Sequence, residues 1–407
     1  MSVLRPVRWW LGLLFLSLFP LPARAQDLPP ITVTSASARY TFGQEAVFEL
    51  EATAPARITA AYLYLQLEDE PRIEVYPVAV EPASTVRVEH RHDLHRFPFP
   101  PFGLVFWWWE VRDEEGHSLT TEPASLRYVD NRFSWVEAEA GPVRLHTVVN
   151  DPVYVQAALA VAQESLRRIA DQLEVQPPDQ IHLYIYASEE DLRAALEMAG
   201  REWVGGEAQP ERDVILIAVP PDSGAMSRME RDIPHELTHI LVYEAVGPEG
   251  YRYVPAWLDE GLATVNELRS DPLLEVALDE AWTEGRLISI RELCEPFSAD
   301  PETALLSYAE SASLVRYIRE QYGYAGIRRL LAAYADGAGC EGGVLQALGV
   351  SLRRLELAWH ADRLGLSGWL AWFADNRAWL LLWVLGMLAA IPLVRAVAVG
   401  GSEVQRR

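Results

Sequence analysis

The segment His235-Glu236-Leu237-Thr238-His239, followed by Trp257-Leu258-Asp259-Glu260-Gly261-Leu262-Ala263, constrains this chain more than any other stretch. Each helical residue turns about 100°, so two histidines four apart lie about 40° from each other around the axis. Both imidazoles then point at one zinc ion, and Glu236 stands beside them to polarise a water. A second helix has to pass close enough for Glu260, 21 residues after His239, to supply the third ligand. Three protein ligands leave a fourth position open, the layout of a catalytic zinc site and not of a closed structural one.

The residues around the motif say how these helices are buried. Ile233, Leu237, Ile240 and Leu241 make one apolar stripe, while His235 and His239 share the opposite side with Val242 and Val246. A helix apolar on two faces lies between layers, as an active-site helix under a cleft does. Asp232 can cap it if Pro234 falls in the first turn; a start near Ser227 makes Pro234 a kink instead. Pro255 opens the next helix, on which Glu260, Thr264 and Glu267 share a face. Glu267 is placed to hold the free imidazole nitrogen of His239. Asp259 points about 100° away from Glu260 and reads as solvated or capping.

Upstream, Ile31 to about Trp135 alternates with a period of two over short segments: Ile31–Thr34, Ala46–Leu50, Ala61–Leu65, Arg72–Val80, Thr85–His90, Val105–Arg112 and Ser125–Val129. Such spacing predicts an immunoglobulin-like β-sandwich over 26–135. The aromatic runs 97–102 and 106–109 within it read as core, with a binding edge as the alternative. His90, His92 and His95 cluster there, but Arg91 and Arg96 among them disfavour a cation. From 136 the pattern mixes strands with helices and then becomes helical, so 136–367 is expected as an α+β domain. His182 falls on a strand as a partly buried histidine.

The termini predict export and anchoring. Arg5 and Arg8, the apolar stretch Trp9–Phe19 and Ala23-Arg24-Ala25 read as a signal peptide over 1–25. Ala378–Val394 is an uncharged apolar run, entered through Trp369, Trp372, Trp379 and Trp383. It predicts a transmembrane helix over 378–398 after a juxtamembrane segment, 368–377, with 399–407 as a cytoplasmic tail. The body is then expected outside the cytoplasm, on a single-pass protein of the cell membrane. A formal charge of −23 argues against a nucleic-acid partner. Cys294 and Cys340, the only cysteines, are a disulfide candidate in an exported chain.

The two motif segments resemble those of gluzincin zinc peptidases, and specifically the peptidase MA-like group, relatives of thermolysin and the membrane alanyl aminopeptidases. The resemblance covers roughly 140–335, including Trp203-Val204-Gly205-Gly206 and Tyr308-Ala309-Glu310-Ser311. It implies zinc (Zn2+) on His235, His239 and Glu260, with Glu236 as general base and proton shuttle. It also implies a sheet edge at Gly205 and Gly206 that binds a peptide or protein substrate, and Tyr308 as the oxyanion donor. Thr264 stands where thermolysin-like enzymes carry an aspartate, and Gly205-Gly206-Glu207-Ala208 is only distantly like the Gly-Ala-Met-Glu-Asn segment of the aminopeptidases. The expected function is hydrolysis of peptide bonds by zinc-activated water. The alternative is a catalytically degenerate envelope binding or scaffold protein.

Overall fold

Buried and accessible residues alternate along Glu45–Leu67 and Leu104–Asp113 of the computed structural model, which describes residues 30–68, 70–198 and 206–364 together with Arg377, Trp379 and Trp383. Seven strands come first: β1 (Thr32–Thr41), β2 (Glu45–Leu67), β3 (Ile73–Val78), β4 (Ala83–Asp93), β5 (Leu104–Asp113), β6 (Ser118–Thr120) and β7 (Ala124–Arg127). They join into one hydrogen-bonded sheet through β2. The two separate strands expected at Ala46–Leu50 and Ala61–Leu65 are halves of this one element. Glu45–Thr53 pairs with β1 and β4, and Ile58–Leu67 pairs with β3 and β5. Pro55 sits where the β4 ladder jumps from Thr53 to Ile58. A proline has no N–H to give a ladder and is admitted at such an irregularity, so the strand runs on through it. Trp107, Trp109, Phe99 and Phe102 are buried, whereas Phe97 is exposed and Phe106 and Trp108 are half-buried, so the aromatic runs are core on one face only.

A second sheet follows from β8 (Val136–Ala140), β9 (Val143–Thr147), β10 (Ile181–Tyr186), β11 (Gly206–Gln209) and β12 (Val214–Ala218), in the order β11-β12-β10-β9-β8. Its three central strands are parallel, and β11 and β8 are antiparallel edges. Both faces are covered, which is why β12 reads as an unbroken apolar run. Tyr184, Tyr186, Val214 and Leu216 pack with the first seven strands, and Leu183, Ile185, Ile215 and Ile217 face the helices. Phe102 meets Tyr184 at 4.1 Å between ring centroids, and Tyr186 donates its hydroxyl proton to buried Asp130, 3.0 Å away.

One consequence of this seam is titratable. His146 Nε2 and His182 Nδ1 lie 3.0 Å apart and share a hydrogen bond. Burial, with Arg144 and Arg127 adding to it, brings both rings from 6.5 down to about 4. Above pH 6.5 neither the folded nor the unfolded chain protonates them. As the pH falls from 6.5 toward 4 the unfolded chain takes up protons that the folded chain refuses, so stability falls. Urea midpoints measured across that window are expected to decline in the wild type and to decline less in His182→Gln.

The helices are α1 (Pro152–Leu173), α2 (Glu189–Met198), α3 (Ala225–Tyr251), α4 (Ala256–Asn266), α5 (Pro272–Glu284), α6 (Pro301–Ala335), α7 (Cys340–Leu348) and α8 (Leu352–Arg363). α3 carries the histidine motif beneath the second sheet, between α1 on one side and α4 and α6 on the other. It breaks at Gly247, whose φ of 72° belongs to the left-handed region that glycine tolerates. The chain can therefore turn sharply into α4. Mixed strands and helices are thus observed as expected from 136 onward.

The membrane expectation is corrected. Among the described residues no helix is long and apolar enough to cross a membrane, which goes against the single-pass cell-membrane localisation. The apolar stripes of α1, α3 and α6 are consumed in packing on one another and on the sheet. The 378–398 segment, apart from Trp379 and Trp383, lies outside the described residues, as do 1–25, 399–407 and 368–376.

Candidate metal centre

Pro234 decides how α3 presents its histidines. The helix begins at Ala225 after Gly224, so Pro234 is well inside it and Asp232 is no cap; Asp232 pairs instead with Arg231. A proline in mid-helix strands the carbonyl four residues earlier. Here that carbonyl, Glu230 O, accepts the Leu268 N–H at 2.9 Å, while Thr238 donates its hydroxyl to Pro234 O at 2.8 Å. The proline defect thus becomes a strap that ties the end of α4 to α3 one turn before His235.

Gly261 brings α4 to α6. A Cβ at that position would stand 2.7 Å from both Ser311 O and Val315 Cγ2, closer than any real contact, so only glycine permits this separation. Glu260 is thereby held in the space between α3 and α6. Its Oε2 lies 3.4 Å from His235 Nε2 and 3.7 Å from His239 Nε2, and it is buried without a hydrogen-bond donor of its own. One ligand atom each from His235, His239 and Glu260 falls within a 4.8 Å span. Two imidazole nitrogens converging on a buried carboxylate oxygen that makes no hydrogen bond form the environment a cation satisfies, so the residues fit a metal ion of the zinc class. Their side chains keep 17%, 10% and 26% exposure, which leaves the centre approachable.

The outer nitrogens of both rings face carboxylates. His235 Nδ1–H donates to Glu267 Oε1 at 3.2 Å. Asp259 Oδ1 stands 3.1 Å from His239 Nδ1, near enough for an ion pair though off the hydrogen-bond line, and Asp259 Oδ2 accepts from Tyr251 OH at 2.8 Å. Carboxylates at Nδ1 hold the proton there and turn the Nε2 lone pairs inward. Burial works against charge on these rings, but Glu260 and Glu267 carry His235 well above 6.5, and Asp259 with Glu260 pushes His239 up to about 9.

Glu267 was expected at His239 and is found at His235. The reason is direction: α3 and α4 are joined by a short turn and run back along each other, so Glu267, just past the end of α4, meets the earlier of the two histidines on α3. By the same rule Asp259, near the turn, meets His239. Sequence reasoning missed Asp259 and Tyr251; the shortness of the 252–255 connection was the signal available. Asp259→Asn and Glu267→Gln are each expected to weaken metal binding by about 10- to 100-fold, measured by competition with a chromophoric chelator.

Glu236 is buried beside the two histidines on α3. Burial raises its carboxyl above the ordinary range, and the histidines partly offset this. Gly206, on edge strand β11, backs directly onto it: a Cβ there would lie 2.6 Å from Glu236 Oε1. Gly205 lies outside the described residues. Tyr308 comes in from α6, with its ring 6.2 Å from that of His235 and edge-on to Phe297 at 5.2 Å. Burial, then the charges of Glu260 and Glu236, raise its hydroxyl far above the usual tyrosine value. Cys294 and Cys340 are joined by a disulfide. In the β-rich part His92 is buried against Phe99 and bonds Phe97 O at 2.9 Å, so that histidine is packed.

A model of the Peptidase MA superfamily matches residues 161–364, half of the chain, from within α1 to the end of α8. The chain belongs to the Peptidase MA superfamily. The match takes in every residue at the centre just described. Among solved structures, this Peptidase MA chain is similar to an M1 zinc metallopeptidase from Deinococcus radiodurans, at 13% identity over 82% of this chain and 94% of that one, with a TM-score of 0.40. It is also similar to OgpA from Akkermansia muciniphila, at 10% identity over 26% of this chain, with a TM-score of 0.21; the chain spans only 30% of OgpA's length. A third likeness is to the third fibronectin III domain of human KIAA0343 protein, at 12% identity over 28% of this chain and 94% of that one, with a TM-score of 0.19. Comparison with curated proteins finds no match.

Proposed function

We propose that this Peptidase MA protein is a zinc-dependent peptidase whose ligands are His235, His239 and Glu260. The observation that carries the reading is the convergence of both Nε2 atoms on Glu260 Oε2 while carboxylates occupy the Nδ1 side. When bound, zinc supplies Lewis acidity, which acidifies water and polarises a carbonyl.

The chain's own residues do the rest. Glu236 takes a proton from the attacking water and passes it to the leaving amine, and its raised carboxyl suits a group that must hold a proton and release it. Tyr308 keeps its hydroxyl proton and donates it as a hydrogen bond to the oxygen that gains charge. Among the described residues β11 ends the sheet order, so an extended peptide could pair with its outer edge, and Gly206 lets that peptide run close to Glu236. The strands of 26–135 are read as an immunoglobulin-like module packed on the peptidase domain, 136–367.

Zinc-loaded protein incubated with unfolded protein substrates is expected to create new termini, identified by mass spectrometry. Intact substrates after prolonged incubation would overturn the reading.

A further inference from the structure

A cleft of about 530 Å3 opens onto Glu260 and Asp259. Its other lining comes from three short segments: the α3–α4 turn, with Tyr253 and Pro255, the stretch from Cys294, with Pro296 and Phe297, and Gly339-Cys340 at the start of α7. Three aromatic rings, those of Tyr251, Tyr253 and Phe297, and two prolines give it flat apolar walls. Tyr253 is 38% exposed, a large ring left in water at the mouth of a site. Asp259 and Arg252 are already engaged. Asp259 serves His239 and Tyr251, and Arg252 pairs with Glu249 at 2.8 Å while lying over the Tyr253 ring. Glu295, exposed at the rim, adds negative charge. An acidic side chain would find carboxylates and no free cation; an aromatic or large aliphatic one would find surfaces that gain from losing water.

Phe297 is also tied to the chemistry. It packs edge-on against Tyr308, whose ring neighbours His235. The disulfide from Cys294, three residues before it, to Cys340 at the start of α7 holds this wall by a covalent bond.

We propose that the cleft is a substrate subsite for a large apolar side chain, aromatic above all, close to the bond that is cut, and that Phe297 and Tyr253 set this preference. The proposal rests on the peptidase reading. The test compares residues flanking the cleaved bonds for wild type, Phe297→Ala, Phe297→Leu and Tyr253→Ala, each zinc-loaded and acting on the same unfolded proteins. A peptide spanning one mapped site, with Phe or Ala at the selected position, is then bound to Glu236→Gln and to Glu236→Gln/Phe297→Ala. The wild type is expected to favour aromatic over small side chains at one flanking position by about tenfold or more, the range an apolar pocket delivers. Each Phe297 and Tyr253 variant should flatten that preference while still cutting. The Leu variant keeps an apolar partner for Tyr308, so it separates loss of the ring from loss of folding. Variants that cut with the wild-type profile, together with an unchanged Phe-to-Ala binding ratio, would overturn the subsite and leave the peptidase reading intact. A wild type that cuts nothing overturns the peptidase reading and the subsite with it.

Discussion

Glu236→Gln is expected to keep its metal and lose hydrolysis. The amide has the size of the carboxyl and no capacity to take a proton from water, while His235, His239 and Glu260 are left as they are. General-base assistance is worth roughly 10²- to 10⁴-fold, so kcat/KM for any mapped peptide should fall by at least two orders of magnitude. Folding should not suffer. The carboxyl is buried and raised above its ordinary range, so a neutral group there removes a desolvation cost. A fall of less than tenfold, with metal content unchanged, would assign the proton transfer to another group.

Chelation should lower thermal stability, and zinc should restore it. Four carboxylates, Glu236, Asp259, Glu260 and Glu267, crowd around two imidazoles in the space between α3, α4 and α6. A divalent cation bound only by the folded chain stabilises it by mass action, about 4 kcal/mol when free zinc is 1,000 times the dissociation constant. The melting temperature is therefore expected to drop after treatment with a chelator and to climb with added zinc. Glu260→Gln, lacking the shared ligand oxygen, should show little of that dependence. A wild type that melts identically in chelator and in zinc would count against the site.

Local periodicity made the core of the site readable in advance. Ile233, Leu237, Ile240 and Leu241 form a stripe that is at most 1% exposed, and Val242 and Val246 are buried on the other side, because a 3.6-residue repeat fixes which side chains share a face. The same repeat put Glu260 on the inward face of α4, whereas Glu267 lies one residue past the end of that helix in non-helical backbone. It could not say which histidine Glu267 meets, since that depends on two helices running in opposite directions, a tertiary fact. Asp259 was read as solvated for a related reason: its angle to Glu260 is legible, but the helix waiting at that angle is not. Pro234 shows the limit most plainly. Its cost to α3 is local, but its remedy, Leu268 N–H, lies 34 residues away. In the β-rich part, Ala46–Leu50 and Ala61–Leu65 read as two strands and proved to be one, because pairing partners along both halves hold β2 together.

Metal analysis of protein purified without chelator tests the account most directly. One zinc per chain is expected in the wild type and in Glu236→Gln, and well below one in His239→Ala and Glu260→Gln. A wild type that holds no zinc, even after dialysis against it, would contradict the assignment of His235, His239 and Glu260 as a metal site.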